Sequence, residues 1–237
     1  MSKTLVIMPT YNERLNLDHS VSELFKFNDE VDLLIVDDNS PDKTGELADQ
    51  LAAKSSKISV LHRNEKGGLG PAYLAGFQWA FERGYEKIVE MDADGSHRAS
   101  DLAKLLQQAD CDLTIGSRWV AGGEVVGWPG HREFISRFGN FYTRLLLGVN
   151  VRDMTAGFRV YKVQLLKRLP LTDIASHGYS FQVEMAWRSL KLGATVKEIP
   201  ITFVERELGV SKMNTAIVLE ALWLVTKWGL ARLLRNS

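Results

Sequence analysis

Thr4-Leu5-Val6-Ile7-Met8-Pro9-Thr10-Tyr11-Asn12-Glu13 is the stretch whose reading decides the fold. Thr4 to Met8 is a strand-length apolar run, closed at once by Pro9 and a polar cluster, the pattern of a strand buried on both faces. The same pattern repeats outward from it. Asp32 to Val36, Ile58 to Leu61, Lys87 to Met91 and Leu113 to Ile115 are further runs rich in Val, Ile and Leu. Between them, Leu15 to Phe25, Thr44 to Ala53, Ala72 to Arg83 and Asp101 to Ala109 carry apolar residues at helical spacing. Strand and helix in alternation imply an α/β chain with a mostly parallel sheet and helices on both faces. Ligands bind such sheets outside the carboxyl ends of the strands, so the polar clusters there are where chemistry is expected.

The second half departs from this rhythm. Ser117 to His131 is rich in Gly, Trp and charge, holds Pro129 and shows no sustained period. It reads as a long loop, and long loops in compact domains are usually lids or binding loops. Helices are expected near Glu133 to Leu147 and Ser180 to Leu192, and a strand at Val196 to Phe203. Asn214 to Leu234 is overwhelmingly apolar, interrupted by Glu220, Lys227 and Arg232. With no internal repeat or obvious linker, the economical division is a catalytic domain over residues 1–213 and a C-terminal helix over 214–237 belonging to the same unit.

Composition narrows the functional classes. The chain has 237 residues, 29 Lys+Arg against 29 Asp+Glu, and 45% hydrophobic residues. That is ordinary globular composition, with enough chain to bury roughly 70–75% of its unfolded surface. Formal neutrality argues against nucleic-acid binding through a basic face, which rests on Lys and Arg neutralising phosphates. Cys111 has no partner for an internal disulfide, and Pro9 follows too soon for residues 1–8 to serve as a signal peptide, so the expected compartment is the cytoplasm.

Three polar clusters follow the strands. After the second comes Asp37-Asp38-Asn39-Ser40-Pro41-Asp42. An acid at that strand tip matches a ribose-binding carboxylate, yet the first turn lacks the Gly-rich loop that lets a backbone approach a dinucleotide pyrophosphate. A nicotinamide or flavin dehydrogenase is thereby disfavoured. Asn39 to Asp42 suits an Asx turn and helix cap equally well, whereas Asp38 beside the strand favours a ligand. After the fourth strand comes Met91-Asp92-Ala93-Asp94-Gly95-Ser96-His97. Two carboxylates one residue apart cannot both point into a dry core; at an open edge they converge on a hard cation that also takes diphosphate oxygens. His97 reads as a turn residue. Lys66-Gly67-Gly68-Leu69-Gly70-Pro71 lacks the ending of a phosphate loop and reads as a pocket wall with Lys66 as a contact.

Together P-T-Y-N-E at 9–13, V-D-D-N-S-P-D at 36–42, G-L-G at 68–70, M-D-A-D-G-S-H at 91–97, G-S-R at 116–118, D-M-T at 153–155 and S-K at 211–212 resemble the dolichol-phosphate (polyprenol-phosphate) mannosyltransferases. These are inverting glycosyltransferases of the GT-A type, whose sheet is Rossmann-like. The early motifs are common to the wider group; D-M-T-A-G-F-R and F-V-E-R-E-L-G-V-S-K narrow it to the lipid-phosphate branch. The resemblance spans essentially the whole chain. It implies that Pro9, Tyr11, Glu13, Val36 and Asp38 hold the nucleoside of GDP-mannose, with Asp92 and Asp94 binding Mg2+ or Mn2+ and Ala93 offering its backbone. It matches Arg206 and Lys212 to basic positions clamping the donor, and Arg118, Arg132 and Ser136 to positions receiving the acceptor phosphate. At position 96 some relatives carry a Gln that completes the metal shell; Ser96 departs from that pattern.

A phosphate monoester is largely dianionic at neutral pH, with a second pKa of about 6, and is already a nucleophile. The expected reaction is therefore direct attack on the anomeric carbon with inversion and no general base, with Asp94, Arg118 and Arg132 carrying catalysis. A sibling using another nucleotide sugar such as UDP-glucose, and a non-catalytic nucleotide-sugar-binding module, are the alternatives. The charges within 214–234 argue against a membrane span. That helix is expected either to pack on the domain or to lie in the membrane interface. Membrane contact is then peripheral, at the cytoplasmic face, or borrowed from an integral-membrane partner protein.

Overall fold

The computed structural model of the chain describes residues 3–108, 110–174, 179–206 and 215–235. Four parallel strands build its first half: β1 (Thr4–Thr10), β2 (Asp32–Asp37), β3 (Ile58–His62) and β4 (Lys87–Glu90). They are joined by α1 (Arg14–Phe27), α2 (Thr44–Lys54) and α3 (Leu69–Glu82), and α4 (Ala99–Leu106) leads on to β5 (Leu113–Ser117). The period of two along β1 sends Leu5 and Ile7 into one core, beneath Tyr73 and Phe77 of α3, and Val6 and Met8 into the other, against Leu17, Val21 and Leu24 of α1. Both faces are covered, which is why these strands read as unbroken apolar runs.

The full sheet has the order β3-β2-β1-β4-β7-β5-β8, where β7 (Arg159–Lys162) runs antiparallel to both β4 and β5 and β8 (Val196–Pro200) is parallel to β5. The strand order reverses between β1 and β4, and the crevice at such a switch point is where ligands sit in open α/β sheets.

The second half corrects the sequence-based expectations in two places. The 117–131 segment is not a plain loop: β6 (Glu124–Val126) pairs in parallel with β9 (Thr202–Val204), and Trp119 is buried. The expected strand at 196–203 is two strands, β8 and β9, that belong to different sheets. Strand β7 is only four residues long and contains Arg159 and Lys162, so its pattern carried no strand signal. The remaining helices are α5 (Gly130–Leu147), α6 (Val163–Arg168), α7 (Tyr179–Lys191) and α8 (Thr215–Arg235). Helix α5 stops at Gly148, whose φ of 62° is left-handed and which carries the Arg232 guanidinium directly over its Cα. Helix α8 packs on α5 and α7: Tyr142 and Thr226 hydroxyls lie 2.6 Å apart, and Trp187 stacks on Trp228 at 5.2 Å. No helix among the described residues is long and apolar enough to cross a membrane.

Candidate active site

One polar edge, where the nucleotide-sugar donor is expected from the sequence, is built at the ends of β1, β2 and β4. Asp37 is an Asx-type anchor, accepting hydrogen bonds from Thr10 Oγ1 (3.0 Å) and from the backbone and hydroxyl of Ser40. Asp42 accepts from the Thr44 and Arg14 backbones, so the 39–42 segment is the capped turn that its residue types allow. Asp38 is buried and accepts the Gly67 and Gly68 N–H groups at 3.0 Å each, while Arg63 pairs with its other oxygen at 2.6 Å. The Gly-rich segment is thus tied to the β2 tip, and Lys66 Nζ lies 4.2 Å over the Tyr11 ring. Val36 is fully buried in the core, so only its backbone faces this edge; Glu13 is buried at the start of α1, its N–H bonded to Thr44 Oγ1. Pro9 is half-buried beside them.

At the β4 end the two aspartates differ. Asp92 remains partly exposed, its N–H donating to His97 Nδ1 at 3.0 Å. His97 is buried, stacked on Phe158 at 4.9 Å and bridged in antiparallel fashion to Phe203 of β9. Ala93 is buried, and its carbonyl accepts from Ser20 Oγ of α1 at 2.8 Å, which fixes the turn to that helix. Asp94 meets Arg206 Nη2 at 2.9 Å and the Ser96 N–H at 3.0 Å. Burial pushes its pKa upward, but bonds from Ser96 and the charge of Arg206 outweigh that and hold the carboxyl below the ordinary aspartate range. Lys212 lies outside the described residues.

The acceptor-side residues converge. Arg118, Arg132 and Ser136 all line one cavity of about 320 Å3, whose other walls are Trp128, Ile135, Val183, Ala221, Leu222 and Val225. Arg118 is 5% exposed and its fork is engaged by Asp153, at 2.8 Å from Nε and 2.7 Å from Nη2. Arg132 lies 4.1 Å over the Trp128 ring and pairs with Glu205. A larger hollow of about 550 Å3 sits by the C-terminal ends of α5, α7 and α8, lined by Trp187, Trp228, Lys191 and Arg232. It includes none of the strand-end residues.

The residues that organise this cavity were missed in the sequence. Asp153 and Thr155 lay inside a quoted motif without a role; they bind Arg118, and Thr155 Oγ1 also accepts from Asn140 of α5 at 3.1 Å. Their loop is gathered by Arg159, which is wholly buried and donates to the carbonyls of Met154, Ala156 and Gln182 at 2.7–2.8 Å. A buried guanidinium is tolerated only with such partners. Glu90, opposite Arg159 in the β4–β7 register, is pushed up to about 7 by burial against the pull of Arg159 and Gln182. The roles of Asp153 and Thr155 were hidden because their partners Arg118 and Asn140 lie 15 to 37 residues away, and that of Arg159 because it depends on the Gln182 carbonyl 23 residues on as well as on the nearby loop.

An open α/β sheet with twin aspartates ending its switch-point strand is the architecture of GT-A glycosyltransferases. The profile of glycosyl transferase family 2 matches residues 5–169, and the chain belongs to that family. It is 50% identical over 231 residues to the polyprenol monophosphomannose synthase of Mycolicibacterium smegmatis, covering 96% of this chain and 87% of that protein. It is 51% identical over 230 residues to the undecaprenyl-phosphate mannosyltransferase of Micrococcus luteus, covering 97% and 95% respectively. Among solved structures, the mannosyltransferase PcManGT of Pyrobaculum calidifontis, described in complex with GDP-Man and Mn2+, shares the fold at TM-score 0.62 and 17% identity. It matches 99% of this chain, which spans 65% of that one.

Proposed function

We propose that the chain is a polyprenyl-phosphate mannosyltransferase, moving mannose from GDP-mannose to a lipid phosphate with inversion. The observation that carries this reading is the composition of the 320 Å3 cavity: Arg118, Arg132 and Ser136 stand together with a wall of Ile135, Val183, Ala221, Leu222 and Val225. A prenyl phosphate needs both in one site, a cationic end for its head and an apolar wall for its first isoprene units. Two relatives near 50% identity named for mannose transfer to such lipids support it.

On this reading the donor lies along the β1, β2 and β4 tips, with Pro9, Tyr11, Glu13, Val36 and Asp38 around the nucleoside and Arg206 and Lys212 on the diphosphate. Asp92 and Asp94 fit a hard divalent cation in donor chemistry: Asp92 offers a partly exposed carboxylate, and Asp94 a buried one held ionised beside Arg206. Among the described residues no group of three His, Cys, Asp or Glu is gathered. Ala93 and the Ser96 turn set the separation of the two acids, and the rest of a Mg2+ or Mn2+ shell comes from diphosphate and water. When bound, the ion supplies charge to the departing nucleotide. Arg118, locked by Asp153, presents a fixed charge beside the acceptor phosphate, Arg132 presents a movable one, and the Ser136 hydroxyl adds a donor. The phosphate dianion is the nucleophile, so these groups position it and need not take a proton.

The same reading places the cavity at a membrane surface. Helix α5 turns Ile135, Ser136 and Gly139 to the cavity and leaves Phe134, Phe138, Phe141 and Leu145 exposed, with Phe138 56% accessible. Helix α8 likewise exposes Trp223, Leu230 and Leu234. An apolar edge beside a lipid site is suited to shallow insertion among headgroups.

The test is incubation of the protein with a panel of labelled nucleotide sugars, short polyprenyl phosphate and Mg2+ or Mn2+, followed by lipid extraction. Label in the lipid phase from GDP-mannose, lost on chelation, is expected. Label from UDP-glucose instead moves the chain to a sibling activity, and no lipid label from any donor contradicts the reading.

A further inference from the structure

The two arginines of the cavity are neutralised in different ways. Asp153, 0% exposed, holds Arg118 from a loop fastened by Arg159, and that pair is part of the core. Glu205 holds Arg132 with side chains 28% and 23% exposed. Such a pair is worth little, about 1 kcal/mol or less, because water solvates both ends when it opens. Glu205 is nevertheless set in place: its N–H donates to the Val126 carbonyl at 2.8 Å, so the short β6–β9 pairing aims the carboxylate at the cavity's cation. An anion that binds Arg132 competes with Glu205 for its guanidinium charge.

We propose that Glu205 is a specificity-determining residue, a built-in counter-anion that yields Arg132 only to a doubly charged phosphate monoester. This rests on the acceptor reading of the cavity. A carboxylate or a phosphodiester carries one negative charge, as Glu205 does, and gains nothing by the exchange. A monoester carries about −1.5 to −2 and three acceptor oxygens, and so wins the competition. The exchange is one ion pair for another, with no bond made or broken. Prenyl monophosphates would thereby be sorted from the singly charged amphiphiles that crowd a membrane surface.

Trp128, stacked on Arg132, provides a readout independent of turnover. The probes are dodecyl phosphate and its methyl ester, titrated into wild type and Glu205→Gln while following tryptophan fluorescence. Wild type is expected to prefer the monoester by about tenfold or more. In Glu205→Gln the diester should tighten by up to about fivefold, equivalent to about 1 kcal/mol, with the preference collapsing. Glu205→Asp, which keeps the charge, should retain the preference within about twofold. Binding of both probes with an unchanged ratio in Glu205→Gln overturns the role of Glu205 and leaves the acceptor site standing. Loss of preference in Glu205→Asp equal to that in Glu205→Gln also overturns it, by tracing the effect to packing. Failure of the monoester to bind wild type at all removes the acceptor reading, and this proposal with it.

Discussion

Arg118 and Arg132 reach the same cavity, but burial gives them different energetics. Removing Asp153 leaves the Arg118 charge uncompensated inside the protein, and breaking a buried pair costs about 3–5 kcal/mol. Asp153→Ala is therefore expected to lower the urea midpoint strongly, whereas Arg132→Gln, at a partly exposed pair, should cost only about 1 kcal/mol or less. Equal losses would contradict this division of roles. The twin aspartates and the cationic positions were legible from residue type and motif. Their partners were not: Asp153 is 35 residues from Arg118 and Glu205 is 73 from Arg132, separations that only the folded chain closes. Asp38 shows the same limit. Its acidity and place at a strand tip were readable, while its hold on Gly67, Gly68 and Arg63 depends on how the β3–α3 loop returns to β2.

Among the elements, β1 to β4 and the helices between them stand close to where periodicity put them, since each strand is a buried apolar run with a clear end. The second half was harder because β6, β7 and β9 have only three or four residues, and β6 and β7 carry charge, so tertiary pairing overrides local pattern there. Two elements carry predictions. Asp42 joins the starts of α1 and α2, accepting from Arg14 and Thr44. Its burial works against ionisation, but these bonds lower its pKa below the ordinary aspartate value of 3.8. Asp42→Ala should cost about 1 kcal/mol at neutral pH. The contribution is present above 3.8 and is lost as pH falls through the lower folded-state value, so wild type and variant should converge only in acid. A difference that stays constant down to pH 2 would show that the carboxylate is not its source. Helix α5 carries the second: Phe138→Glu combined with Phe141→Glu should greatly weaken sedimentation with anionic liposomes. Transfer to a short acceptor in detergent should continue, because these side chains point away from the cavity; loss of both would mean that the helix itself was disturbed.

Across the whole molecule, two anionic substrates meet, on the proposed reading, at one edge of the sheet, with Arg118, Arg132 and Arg206 of the second half as the cations between them. Consecutive residues join the two sides: Glu205 meets Arg132 of the acceptor cavity and Arg206 meets Asp94 of the donor edge. Helix α8 closes the cavity through Ala221, Leu222 and Val225 while exposing Trp223 and Leu230, so it packs on the domain and also keeps an apolar outer edge. The sequence left these two outcomes as alternatives, and the fold makes them compatible because one face of the helix serves each. The central claim is that donor and acceptor occupy distinct cationic sites, with Arg132 on the acceptor side. Steady-state kinetics of Arg132→Gln in both substrates test it most directly. The account predicts that KM for polyprenyl phosphate rises by about tenfold or more, as loss of one charge-assisted bond implies, while KM for GDP-mannose stays near wild type. An equal rise in both, or a rise confined to GDP-mannose, would contradict it.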